Sequence, residues 1–306
     1  MNIKQIRGSM ILLLAAIIWG IAFVSQSVGM NYVGPFTFMC ARSFIGAMAL
    51  IPCIMVMKHM KLSNTKNNRD QLNQKANSKM LLIGGVGCGI ILCIASCFQQ
   101  IGIIYTTVGK AGFITTFYII IVPIVGIFFK RRCGLFVWIG VVFAVVGLYF
   151  LCITDNVNIN KGDLLVFICA LLFSFHIICI DYFSDKVDGV KLSCIQFVVA
   201  GIISGIFMFI FEKPDIRQII DAWQPILYAG ILSSGVGYTL QIIGQRDVNP
   251  TVASLIMSLE SVVSVLAGLI LLGQTLSTRE SVGCIFMFIA IILAQLPERK
   301  EQCKEK

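Results

Sequence analysis

Ten apolar runs, each close to 20 residues long, constrain this chain more than any other feature of its sequence. About 20 apolar residues are enough for a helix to cross the hydrocarbon core of a bilayer. Because the mean hydropathy is +0.90 and only 13% of the residues are charged, a water-soluble fold would lack polar surface. We therefore predict an all-α integral membrane protein with ten transmembrane helices. The predicted spans are 10–28, 35–57, 80–101, 108–129, 134–152, 163–181, 191–211, 222–243, 251–272 and 281–296.

The basic residues are sorted between the two sides of the predicted membrane. With the N-terminus placed in the cytoplasm, 18 Lys and Arg lie inside, 5 lie outside and Arg42 falls within a span, which accounts for all 24. This excess follows the positive-inside rule, so the net charge of +9 orients the chain and indicates no nucleic-acid partner. We predict a bacterial-type plasma (inner) membrane protein with both termini cytoplasmic.

The two halves of the chain resemble each other. Offsets of 154 residues in the first part of each half, and of 142 residues in the second part, superpose several polar and aromatic positions. The superposed pairs are Trp19 with Phe173, Arg42 with Gln196, Gln99 with Gln241, and Tyr118 with Glu260. The polar segment 58–79, interpreted as a flexible cytoplasmic connector, explains the change of offset.

Five spans in each half, an odd number, make the second half enter the membrane from the opposite side. Inverted repeats of this kind are typical of secondary transporters, whose substrate site lies near the midplane between the repeats. We predict one repeat over residues 8–152, a second over 162–297, and a cytoplasmic tail over 298–306.

Glu260 is the tenth residue of the apolar run 251–272, so it lies close to the predicted bilayer centre. A carboxylate at that depth costs roughly 2.5–3.5 kcal/mol on insertion scales, and such residues usually serve function. One hypothesis is a carboxylate that binds substrate or a proton and couples protonation to transport. The alternative is a structural carboxyl group that is hydrogen-bonded to a neighbouring helix.

Arg42 is the other charged residue within a predicted span. It lies seven residues after Pro35, which is about 10 Å along a helix at 1.5 Å per residue. Three roles stay open at this point. Arg42 pairs with Glu260, binds an anionic substrate group such as a carboxylate, or extends its long side chain toward the outer interface.

Uncharged polar and aromatic residues complete the candidate cavity. Helical spacing places Tyr238 and Gln241 on one face of the eighth span, and Trp19 and Gln26 on one face of the first. A buried amide needs partners, so such residues face the bundle interior rather than lipid. The remaining candidates are Gln99, Thr115, Tyr118, His176 and Gln196. For any single residue a helix–helix hydrogen bond is an alternative role.

Several classes of function find no support in the sequence. No G-x-x-x-x-G-K-[ST] motif is present, which argues against an ATP-driven pump. No arrangement of catalytic side chains suggests an enzyme. The 12 cysteines lie mainly in apolar runs without a CxxC motif, and two histidines are too few for a metal site, so we expect no metal and no cofactor.

From about residue 8 to residue 297 the chain resembles the drug/metabolite transporter superfamily, in its ten-helix branch with two EamA repeats. The resemblance rests on the order and spacing of loose motifs. In the first half these are "AAIIWGIAFV" 15–24, "PFTFMCARS" 35–43 and "TTVGKAGFITTFYIIIVP" 106–123. In the second half they are "GDLLVFICALLFSFHIICID" 162–181, "LYAGILSSGVGYTLQIIGQRDVNPTVASLIMSLESV" 227–262 and "LLGQTLSTRESVG" 271–283.

This resemblance implies a substrate cavity formed by helices one to four and six to nine, with helices five and ten peripheral. It also implies a small-molecule metabolite, such as an amino acid, as the cargo. Many relatives have Glu-Pro in the ninth helix, where this chain has Glu260-Ser261. We therefore expect a secondary transporter that exports small organic metabolites by alternating access, with protons as a possible coupling ion. A facilitator or exchanger, and a non-transporting scaffold or receptor, are the alternatives.

Overall fold

The computed structural model describes residues 3–62, 69–106, 108–128, 134–152, 160–272 and 277–295, and these residues form helices without strands. We number the long helices in chain order. The first half contains α1 (Ile3–Gly29), α2 (Pro35–Leu62), α3 (Arg69–Tyr105), α4 in two pieces (Val108–Thr115 and Tyr118–Phe128) and α5 (Leu135–Cys152). The second half contains α6 (Lys161–Ser184), α7 (Gly189–Phe211), α8 in three consecutive pieces (Trp223–Leu227, Tyr228–Gly237 and Tyr238–Gln245), α9 in two pieces (Pro250–Met257 and Leu259–Leu272) and α10 (Thr278–Gln295).

Eight helical segments are long and apolar enough to cross a bilayer, so the chain is a multi-pass membrane protein. Within the described residues, α5 and α10 provide shorter apolar stretches, Leu135–Gly147 and Ser281–Leu293. The ten-span count therefore stays a prediction.

The helices extend beyond the predicted apolar runs wherever polar residues continue them. The sequence predicts a flexible connector over 58–79, whereas α2 runs to Leu62 and α3 begins at Arg69. Hydropathy marks only where a helix leaves the apolar layer, and Lys, Gln and Ala continue a helix well beyond that point. Residues 63–68 and the whole predicted tail, 298–306, lie outside the described residues.

The packing of the helices is unchanged when the two halves are exchanged. Helix α2 packs on α7, and α5 packs on α10. The main remaining contacts have equivalents, since α3–α6 corresponds to α8–α1, α3–α7 to α8–α2, and α4–α6 to α9–α1. The core thus has an approximate two-fold relation that the sequence offsets had indicated.

The equivalent helices α2 and α7 run antiparallel. A Cβ atom built on Gly205 lies 3.3 Å from Cys40 Sγ, near the start of α2. Further along α2, the Cys194 thiol lies 3.7 Å from the Ala47 carbonyl oxygen. Positions later in α2 therefore meet positions earlier in α7.

Helices α4 and α9 are interrupted at equivalent positions. In α4 the break falls at Thr116 and Phe117, about two turns before Pro123, and the Thr116 hydroxyl donates to the Phe113 carbonyl at 2.8 Å. In α9 the break falls at Ser258, and residues 251–272 contain no proline. There the hydroxyl of Ser258 donates to the Leu255 carbonyl at 2.7 Å, and that of Ser261 donates to Ser258 at 2.7 Å. Such back-bonding bends helices, which accounts for a break without a nearby proline.

The middle of α8, Tyr228–Gly237, is wound as a π-helix. Its small residues allow close approach of neighbouring helices, because a Cβ atom on Gly237 would lie 2.6 Å from Trp19 Nε1. The same indole N–H donates to the Ser233 carbonyl at 3.3 Å. The widened turn and the missing side chain of Gly237 together leave room for the Trp19 side chain of α1. π-Bulges occur frequently at functional sites.

A carboxylate of one half caps a helix of the other half. Glu212, at the end of α7, accepts hydrogen bonds from the backbone N–H groups of Phe36 and Thr37, both at 2.8 Å. The Thr37 hydroxyl also donates to it, at 2.6 Å. Gly34 lies directly against this carboxylate, leaving no room for a Cβ atom. Glu212 therefore satisfies the free N–H groups at the start of α2.

We expect Glu212→Ala to lower the free energy of unfolding by about 1–2 kcal/mol, the usual loss when a helix cap is removed. The measurement is denaturant or thermal unfolding of the purified protein in detergent micelles. Asp221→Ala is the matched control, because Asp221 is exposed at the end of the short helix Ile216–Asp221. Equal stability of the two variants would contradict the role of Glu212.

Candidate functional site

A polar cavity lies between the two halves of the chain. It is lined by residues of α1, α2, α3 and α4 from the first half, and of α6, α8 and α9 from the second. The lining residues are Trp19, Ala22, Phe23, Gln26, Arg42, Gln99, Thr115, Tyr118, Phe173, His176, Ile177, Ser233, Tyr238, Gln241, Met257 and Glu260. Among the described residues, α5 and α10 contribute none.

Most of the lining consists of pairs that the repeat offsets superpose. Six pairs have both members in the wall of the cavity. They are Trp19 with Phe173, Ala22 with His176, Phe23 with Ile177, Gln99 with Gln241, Thr115 with Met257, and Tyr118 with Glu260. The cavity therefore lies where the two halves meet, and equivalent positions of the two halves both contribute to its wall. The side chains at most of these equivalent positions differ in type.

Glu260 has a single hydrogen-bond partner among the described side chains. The Tyr118 hydroxyl donates to its Oε1 at 2.9 Å, so the two members of a repeat pair meet directly. Glu260 lies in the first turn of the second piece of α9, where the helix dipole favours a negative charge. Its side chain is 5% exposed and reaches the cavity. A carboxyl group placed in this way is able to bind a cation or a proton.

Arg42 is the positively charged residue in the cavity wall. Its Nη1 donates to Gln26 Oε1 at 3.0 Å, and its Nε has no protein partner. Of the three roles that the sequence left open, pairing with Glu260 is not observed. The Arg42 side chain is 4% exposed, so it does not extend to the protein surface.

Amide side chains connect the wall to neighbouring helices. Gln99 Nε2 donates to the Thr115 hydroxyl at 3.2 Å, joining α3 to α4. His176 Nε2 lies 3.2 Å from Gln196 Oε1, joining α6 to α7, while His176 Nδ1 has no protein partner. The Oε1 atom of Gln241 is likewise buried without a partner. These unpaired atoms are available to a bound molecule.

Aromatic rings form a second part of the wall. The rings of Trp19 and Tyr238 lie 4.7 Å apart between centroids, and Tyr238 also contacts His176 edge-to-face at 6.0 Å. Phe197 of α7 packs behind Tyr238 at 5.3 Å. Because Phe197 is fully buried in the protein, it fixes the Tyr238 ring against the cavity.

The structure brings ten of the eleven residues that the sequence singled out to this cavity, and Gln196 lies behind His176. The six other lining residues were not among the candidates, namely Ala22, Phe23, Phe173, Ile177, Ser233 and Met257. Apart from Ser233, these are small or apolar side chains that look like any lipid-facing residue of a span. Three of them are repeat partners of chosen residues, so the offset itself was the signal that could have found them.

The cavity has a volume of about 40 Å³. At 10–15 Å³ for each water molecule, this is room for about three of them. A metabolite larger than that enters only when side chains or helices move apart. The broken helices α4 and α9 and the π-wound part of α8 all contribute residues to the wall of the cavity.

Comparison with known proteins gives a consistent result. The EamA-like transporter family model matches residues 6–153 and again residues 160–296. An uncharacterized transporter of Archaeoglobus fulgidus is 28% identical over 302 residues, covering 96% of this chain and 88% of that protein. The uncharacterized transporter YoaV of Bacillus subtilis is 23% identical over 283 residues, covering 90% and 92%. A crystal structure with 14% identity has a TM-score of 0.75 over 94% of this chain and 96% of its own, which shows a shared fold.

Proposed function

The chain belongs to the EamA-like transporter family, and on that premise we propose that it exports small organic metabolites, such as amino acids, by alternating access. The relatives are transporters, so the protein is a transporter rather than an enzyme. The proposal adds a direction, a class of cargo and a mechanism. One observation carries it, namely the cavity between the halves that holds both Arg42 and Glu260.

We further propose that residues 8–152 and 162–297 are two inverted five-helix repeats that together cross the membrane ten times. The antiparallel course of α2 and α7 supports the inversion. In such proteins one repeat rocks against the other around a fixed central site. This movement opens the site to one side of the membrane and then to the other. The positive-inside distribution supports an inner-membrane location with cytoplasmic termini.

Proton coupling through Glu260 is the proposed driving mechanism. A carboxyl group bound only to the neutral Tyr118 hydroxyl, in a cavity that reaches between the halves, is well placed to take up and release a proton. A facilitator or exchanger in which Glu260 binds substrate directly is the alternative within transport. Arg42 and the unpaired amides are the proposed cargo ligands.

A non-transporting scaffold would tolerate apolar residues in the cavity, whereas a transporter would not. We expect the double variant Gln99→Leu, Gln241→Leu to remain folded and to lose at least about tenfold in transport rate, since each lost hydrogen bond weakens binding by about 0.5–1.5 kcal/mol. The measurement is uptake of a panel of amino acids and other metabolites into proteoliposomes with an imposed pH gradient. Phe209→Leu, at an exposed position of α7, is the control. Undiminished uptake by a correctly folded double variant would refute a role for the cavity.

A further inference from the structure

Resting on the proposed function, the geometry points to a narrower class of cargo. We propose that Arg42 is an anion subsite and that the cargo is an organic molecule with a single carboxylate group. That carboxylate binds side-on to the Nε–Nη2 edge of the guanidinium group.

Arg42 is a buried cation without a counter-ion in contact. A guanidinium group carries five N–H donors and is always charged. Within the described part of the chain, the one hydrogen bond of Arg42 goes to the neutral amide oxygen of Gln26. No carboxylate of the described residues lies within 4 Å of it, and Glu260 bonds Tyr118 instead. Since an uncompensated buried charge is unfavourable, an anion that enters the cavity is strongly preferred there.

One edge of the guanidinium group is complementary to a carboxylate. Nη1 is occupied by Gln26, while Nε is buried without a partner. Nε and Nη2 form the side-on fork that donates two parallel hydrogen bonds to the two oxygens of a carboxylate. A lysine at the same position would provide a point charge without this fork.

Gln26 positions the guanidinium group. Its side chain accepts from Arg42, and its backbone oxygen accepts from Gln100 Nε2 at 3.3 Å. The Gln26 side chain is 4% exposed, so three helices, α1, α2 and α3, enclose the pair. The orientation of the guanidinium group is therefore fixed before any cargo binds.

The charges also limit the cargo to one carboxylate. The repeat partner of Arg42 is the neutral Gln196, so the second half has no equivalent cation. The other charge in the cavity wall is Glu260, which repels a second carboxylate and attracts a cationic group. A monocarboxylate, with or without an ammonium group, fits this arrangement better than a dicarboxylate.

The test measures binding to the purified full-length protein by titration calorimetry. The probes are glycine, alanine, serine, leucine and phenylalanine, each paired with its primary amide, together with 4-methylpentanoate and succinate. We expect at least one carboxylate to bind at least about tenfold more tightly than its amide, as for charged hydrogen bonds of about 1.5 kcal/mol or more. Arg42→Gln should remove this preference, and Arg42→Lys should retain part of it. Arg217→Gln, at an exposed site on the short helix before α8, should leave it unchanged.

Uptake into proteoliposomes is measured in parallel, so that the two proposals fail separately. Amides that bind as tightly as their acids, or a preference that persists in folded Arg42→Gln protein, would overturn the carboxylate subsite. Uptake of amines or uncharged metabolites only, unaffected by Arg42→Gln, would overturn it while leaving the transport proposal standing. If no probe binds and none is taken up, both proposals fail.

Discussion

Glu260→Gln should abolish accumulation that is driven by a pH gradient, reducing it by at least about tenfold to the level of protein-free liposomes. Glutamine has nearly the shape of glutamate and still accepts the hydrogen bond of Tyr118, but it cannot take up a proton. The variant therefore removes proton uptake at this position while leaving the packing of the side chain nearly unchanged. The measurement is uptake and exchange of a transported metabolite in proteoliposomes over a series of pH values.

In the wild-type protein we expect the exchange rate to depend on pH, and in Glu260→Gln protein we expect that dependence to disappear. Asp221→Asn is the control, because it neutralises an exposed acid outside the cavity. If the Glu260→Gln protein exchanges with the wild-type pH profile, coupling through Glu260 is wrong. Glu260 would then remain a substrate ligand or a structural carboxyl group.

Gly20→Ala should lower the stability of the protein markedly, because it adds a methyl group where the two halves meet closely. A Cβ atom at this position of α1 would lie 2.7 Å from the Glu260 carbonyl oxygen and would collide with the Val263 side chain. Helix α1 and helix α9 would have to separate at the level of the cavity. Overpacking of this kind costs about 1–3 kcal/mol, which outweighs the helix-forming advantage of alanine over glycine.

Gly87→Ala is the matched control, because a Cβ atom on Gly87 of α3 meets nothing within 4 Å. We expect the control to be neutral or stabilised by up to about 1 kcal/mol, since alanine forms helices better than glycine. Thermal unfolding in detergent measures both variants under the same conditions. Equal melting temperatures for the two alanine variants would show that α1 and α9 do not cross as closely as the structure indicates.

Much of the architecture could be predicted from the sequence, because a bilayer permits few solutions. Apolar runs located the helices, and family motifs together with the repeat offsets indicated two related halves. The EamA-like transporter family, with its two matched segments, confirmed the predicted family. Hydropathy could not predict that α2 continues to Leu62 or that α3 begins as early as Arg69. Polar residues continue these helices without any apolar signal.

Local geometry was the harder part to predict. The break at Ser258 arises from serine hydroxyls bonded to their own helix, and serines occur in many spans without bending them. The Glu212 cap depends on the meeting of α7 with the start of α2, residues that are 175 and 176 positions apart in sequence. The sequence shows these serines but not whether they bend their helix, and the Glu212 contact joins residues that are far apart in the chain, so both features required the structure.

In the candidate site, the polar residues could be predicted from the sequence, whereas the apolar lining residues could not be predicted from residue type alone. Charged and amide residues such as Arg42, Gln99 and Glu260 are conspicuous in a span because burying them is costly. Apolar lining residues such as Phe173 and Met257 carry no such signal. The repeat offset supplies one, since their partners Trp19 and Thr115 were already candidates.

The central claim is that Glu260 lies in a cavity that water and solutes reach between the two halves. Carbodiimide labelling tests it directly, because these reagents modify a protonated carboxyl group only where they can reach it. We predict that a water-soluble carbodiimide labels Glu260 in the membrane-embedded protein, that labelling decreases as the pH rises, and that a transported metabolite protects against it. An unlabelled Glu260, under conditions in which the exposed Asp215 and Asp221 are labelled, would mean that the carboxyl group is sealed in dry packing and would contradict the account.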